Sequence, residues 1–117
     1  MKVIIAGTRT VIEYDIIDTA VKKSNFQIDE VVSGWCRGVD TLGEQWGKNN
    51  KVPIKTFKAK WLLYGSAAGP KRNLEMAQYV GENGGLIAIW DGKSKGTKNM
   101  IETAQKIGIK NIFIFRI

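Results

Sequence analysis

The chain has 117 residues, 44% hydrophobic and 25% charged, which fits one globular domain with a single core and no room for a second. One cysteine and no histidine exclude an internal disulfide, a Ser-His-Asp triad and the usual zinc sites, so no metal centre is expected. The net charge of +7 is uneven: residues 1–45 carry five basic and seven acidic groups, residues 46–117 thirteen and four.

Lys2 to Gly7 is a short apolar run ending in glycine, as suits a first buried strand followed by the turn Gly7-Thr8-Arg9-Thr10. Ile12, Ile16, Ile17, Ala20 and Val21 then recur at helical spacing. Glu30 to Gly34 repeats the pattern of strand and glycine, and a loop through Trp35, Cys36, Arg37 and Gly38 leads to a second helix with Val39, Leu42 and Trp46 on its buried stripe. Asp40 falls in the first turn of that helix, where a carboxylate is favourable. Gly43 and Gly47, poor helix formers, imply close packing against the sheet.

Val52 to Lys58 alternates apolar and polar residues after Pro53, as an edge strand does. A loop from Ala59 to Gly69 contains Trp61, Leu62, Leu63 and Tyr64, and Gly69-Pro70 signals the start of a third helix lined by Leu74, Ala77 and Tyr79 or Val80. Gly85 to Trp90 is the most apolar strand. The loop Asp91 to Thr97 follows, then a fourth helix through Met100, Ile101, Ala104 and Ile107, and a fifth strand from Asn111 to Phe115. Trp46 and Trp90 are expected in the core.

The order βαβαβαβαβ, with connections too long for hairpins, predicts an α/β Rossmann-like three-layer sandwich whose five-stranded parallel sheet runs 3-2-1-4-5. The switch point then lies between the first and fourth strands, so the Gly7 and Asp91 loops face each other across a cleft. Four loops converge on that edge: Gly7-Thr8-Arg9, Gly34 to Asp40, Gly69 to Asn73, and Asp91 to Thr97. Each supplies glycine with a cation, and two supply a hydroxyl. Glycine lets backbone approach a ligand, arginine offers a planar fork for phosphate, and N–H groups at a helix start hold anions.

These same residues carry a family resemblance. Ile4 to Thr10, Val32-Ser33-Gly34 with Arg37 to Asp40, Gly69-Pro70 with Arg72-Asn73 and Met76, and Trp90-Asp91-Gly92 with Ser94, Gly96-Thr97 and Met100 resemble the small stand-alone, YspA-like proteins of the SLOG superfamily. That superfamily is related to the Lonely Guy phosphoribohydrolases and DNA-processing protein A, and its small members occur in bacteria and phages. The resemblance implies a nucleotide-derived ligand at the cleft, such as an ADP-ribose or NAD-derived molecule, and no other cofactor. Two departures stand out. Trp35 occupies a position where relatives carry glycine. Lonely Guy enzymes have a glutamate three residues after the threonine of their GT pair, whereas the third residue after Thr97 is Met100. Glu102, turned about 200° from position 100 on a helix, cannot replace that acid.

The expected ligand-binding residues are Gly7, Thr8, Arg9, Gly34, Trp35, Arg37, Gly38, Asp40, Arg72, Asn73, Asp91, Gly92, Ser94, Gly96 and Thr97. Arg37 and Arg72 lead as phosphate ligands. Asp40 is read as a helix-start anchor orienting Arg37, and Thr97 as an N-cap or next to it. Trp35, Trp61 and Tyr64 suit base stacking or contact with another subunit. The first expectation is therefore a sensor or sequestering module for a nucleotide-like molecule. A nucleotide hydrolase using Asp40, Asp91 and Arg72 is the alternative, and a single-stranded nucleic-acid binder drawing on the basic second half is the third. No apolar run is long enough for a signal peptide or membrane span, so a cytoplasmic protein without membrane contact, open to homo-oligomer formation, is expected.

Overall fold

Strict two-residue alternation on the first strand sets the layers. In the computed structural model, which describes all 117 residues, β1 (Lys2–Gly7) sends Val3 and Ile5 to one face of the sheet and Ile4 and Ala6 to the other. Both sets are buried, as a central parallel strand requires. The chain continues as α1 (Tyr14–Ser24), β2 (Glu30–Ser33), α2 (Val39–Asn49), β3 (Ile54–Thr56), α3 (Trp61–Tyr64), a 3-10 turn (Gly65–Ala67), α4 (Ala68–Val80), β4 (Gly85–Trp90), α5 (Lys95–Ile107) and β5 (Asn111–Arg116).

All strand pairs are parallel and the order is β3-β2-β1-β4-β5, the order the sequence predicts. One layer joins α1 and α2 to Val3, Ile5, Val31, Ile87 and Ile89. The other joins α4 and α5 to Ile4, Ala6, Val32, Leu86 and Ala88. The two α2 glycines do allow close approach: a Cβ at Gly43 would stand 2.8 Å from Ile5 Cγ2, and one at Gly47 2.9 Å from Ile54 Cγ1.

Several local expectations are corrected. Ile12 is exposed and precedes α1, while Val11 enters the core in its place. The third strand is only three residues long and lies at the edge of the sheet beside β2. The loop 59–69 holds the helical turn α3, and α4 begins at Ala68, which puts Pro70 inside its first turn, where a missing N–H costs nothing. Leu74 is exposed and Met76 takes the buried position. Trp90 is half-buried, with Arg116 over its ring and its indole N–H donated to the Ser94 carbonyl.

Candidate functional site

Where β1 and β4 separate at their carboxyl ends, a cleft of about 290 Å³ opens. Its walls come from the β1 turn (Ala6, Gly7, Arg9), the start of α2 (Cys36, Asp40), α4 (Arg72, Asn73, Met76) and α5 with its preceding loop (Ser94, Gly96, Thr97, Met100). Eight of these residues are among those the sequence singles out for binding; Ala6, Cys36, Met76 and Met100 are additions.

Arg72 is the dominant group. It is only 9% exposed, yet no carboxylate forms an ion pair with it. Its Nη1 donates to the Gly34 carbonyl at 2.9 Å and to Cys36 Sγ at 3.3 Å, and its Nε donates to Asn73 Oδ1 at 3.2 Å. Nη2 donates to no protein acceptor, and since no buried side-chain nitrogen in the chain lacks a partner, this end of the fork is open to solvent, while Arg72 as a residue lines the cleft. Neutral acceptors thus hold the guanidinium rigidly, and no carboxylate forms an ion pair with it. Asn73 is itself fixed, donating to Asn99 Oδ1 at 2.8 Å.

Asp40 is 5% exposed and stands close to Arg72 without pairing with it. Gly34 makes this approach feasible: a Cβ there would be 2.9 Å from Asp40 Oδ2 and 3.0 Å from Arg72 Cζ. Burial pushes the Asp40 carboxyl up to about 6, and Glu44 adds to that; Arg72 and the N–H groups of Cys36 and Gly34 only partly oppose it. The expected link from Asp40 to Arg37 is not formed, because the carboxylate turns inward and accepts from the Cys36 N–H at 3.4 Å.

On the opposite wall, Asp91 organises the loop before α5. Its Oδ1 accepts from the N–H groups of Lys93 and Ser94, both at 2.8 Å, which holds its carboxyl below the usual range, and its own N–H donates to Thr8 Oγ1 at 3.2 Å. The two loops flanking the switch point are thereby tied together. Ser94 is the N-cap of α5, accepting from the Thr97 N–H at 3.3 Å, so Thr97 lies three residues inside the cap. The N–H groups of Lys95 and Gly96 find no acceptor in the chain, as the first turn of a helix dictates. Met100, in place of the expected glutamate, is buried and floors the cleft with Met76, whereas Glu102 is exposed.

The remaining predicted residues lie around this centre. Thr8 and Gly34 are buried behind the walls. Gly38, at φ 78°, packs against the Arg9 backbone, which a Cβ would meet at 2.5 Å. Asp91 and Gly92 shape their loop without lining the cleft. Trp35 and Arg37 are exposed and border another shallow depression with Cys36, Thr41 and Glu44. Trp35 has φ 59°, the left-handed backbone that favours glycine, and its ring turns away from the cleft under Lys58 Nζ at 4.1 Å.

A doubly wound parallel sheet with a polar cleft at its switch point defines a Rossmann-like domain. Residues 1–64, more than half of the chain, match the YspA, cpYpsA-related SLOG family, and the chain belongs to it. Comparison with curated proteins and with solved structures gives no match. The matched residues contribute Ala6, Gly7, Arg9, Cys36 and Asp40 to the cleft; Arg72, Asn73, Met76 and the residues of α5 and its preceding loop lie beyond them. No helix is long and apolar enough to cross a membrane.

Proposed function

We propose that the cleft binds a nucleotide or nucleotide-derived small molecule through its phosphate, and that the protein acts as a sensor or sequestering module for it. The single observation that carries this reading is Arg72, a nearly buried cation that lines the cleft with no carboxylate as ion-pair partner. A charge without an ion-pair partner is expensive to bury, and an anionic ligand offsets that cost when it binds. Arg9 and the free N–H groups of Lys95 and Gly96 supply further donors to the same anion. Met100 in place of an acid favours binding over turnover.

A second reading rests on Asp40. A buried carboxyl pushed up to about 6 inside a cleft is suited to proton transfer near neutral pH, which keeps a phosphoribohydrolase-type reaction in play, with Arg72 stabilising the phosphate. The two readings separate in one experiment. Thermal shifts are recorded against AMP, ADP-ribose, cyclic ADP-ribose, NAD, cyclic nucleotides and a short oligonucleotide, with Arg72→Met alongside. A ligand at a hundred times its dissociation constant adds about 2.7 kcal/mol. Binding favours a mononucleotide-like ligand and disappears in the variant; release of free base, lost in Asp40→Asn, would establish the hydrolase instead. A shift with the oligonucleotide alone would replace both by nucleic-acid binding.

A further inference from the structure

The cleft does not end at Arg9 and Arg72. A second depression of about 290 Å³ shares Arg9, Arg72, Asn73 and Gly96 with it and runs outward to Pro70 and Trp61. The two depressions adjoin at these shared residues, which include the cations Arg9 and Arg72. Trp61, on α3, is 50% exposed, and one corner of its ring lies against the start of α4, where a Cβ at Gly69 would meet Trp61 Cη2 at 3.4 Å. We propose that Trp61 is the platform on which the planar base of the ligand stacks, so that the base lies outward on α3 while the phosphate lies at Arg9 and Arg72. This rests on the phosphate-binding reading above and adds to it that the ligand must carry an aromatic base.

The other aromatic rings near this edge are otherwise engaged. Trp35 borders the depression at Thr41 and Glu44 and is covered by Lys58, Tyr64 has Lys71 Nζ at 4.6 Å over its ring, and Trp90 has Arg116 over its own. Trp61 has no cation over its face and borders the residues that would hold phosphate. A base of either type has a π-face to offer it, so stacking gives affinity without hydrogen-bond readout of the base. Leu62 and Leu63, both more exposed than Trp61, do not border this second depression.

The test uses the full chain and a pair of probes, AMP and ribose 5-phosphate, which share sugar and phosphate and differ by the base. Calorimetric titration is expected to give AMP the tighter binding, by about tenfold, the effect of one stacked base. Trp61→Ala should bring AMP down to the affinity of ribose 5-phosphate, leave ribose 5-phosphate unchanged, and keep the wild-type circular dichroism; Trp61→Phe should restore most of the AMP affinity. If Trp61→Ala leaves the ratio of the two affinities as it was, or if wild type does not prefer AMP, Trp61 is not the platform although the phosphate site stands. Failure of both probes to bind wild type overturns the platform and the phosphate site together.

Discussion

Helices α1 and α4 pack on opposite faces of the same sheet, yet they bury different chemistry. The buried side of α1 is Ile17, Ala20 and Val21, with its charges outside, where Asp18 and Lys22 pair in solvent. The buried side of α4 carries Arg72 and Asn73 between Ala68 and Gly69 at its start and Met76, Ala77 and Val80 after them. Fold alone asks for the first pattern, because each buried apolar side chain adds stability and each buried charge subtracts it. The polar pair Arg72 and Asn73 has no such rationale, and the proposed anion site at the switch point would supply one.

The comparison breaks most readily at Ile17, which is fully buried. Ile17→Ala should cost about 2 to 5 kcal/mol in denaturant unfolding and leave ligand affinity in the folded protein unchanged, since it touches only the core. The next effect belongs to Asp40. Its folded value of about 6 lies above the ordinary 3.8, so the native state holds a proton that the unfolded chain has released. Stability from this group is therefore fully present below about pH 4 and declines as pH rises to about 6, by roughly 3 kcal/mol in all. Asp40→Asn removes that decline. The variant should gain stability relative to wild type between pH 4 and pH 8, and equal slopes for the two proteins would show that Asp40 titrates normally. The smallest effect is expected at Asp18→Asn, which deletes the exposed pair with Lys22; its unfolding midpoint should match that of wild type within experimental scatter, because solvent screens both partners.

Much of this molecule is legible in its sequence. Glycine after each apolar run, helical stripes between runs and the absence of hairpin-length connections yield the strand order, and the four loops converge as their positions imply. What stays hidden has a common physical origin. Leu74 looks like core because it is apolar, whereas the helix phase is set by Arg72, Asn73, Met76, Ala77 and Val80, whose polar members are conventionally assigned to the surface. That stripe, with polar residues in phase with apolar ones, is the signal that could have located both the buried face and the site. Trp35 attracts attention as a ring in a phosphate-type loop, but its left-handed backbone aims it outward, a consequence of dihedral angle that residue type does not reveal. The contact of Cys36 with a guanidinium is likewise hidden, because Arg72, which donates to its sulfur, is distant in sequence. Helix α3 is a single turn, too short to produce a periodic pattern.

The central claim is that the buried guanidinium of Arg72 receives the anion, and the four arginines allow it to be tested side by side. With the protein labelled in nitrogen-15, the arginine Nε–Hε resonances are followed while AMP or ADP-ribose is added. The resonances of Arg72 and Arg9 should move together along one saturating curve, with those of Arg37 and Arg116 unchanged. Movement of Arg37 without Arg72, or no saturable movement with either nucleotide, would contradict the assignment of this cleft as a phosphate site.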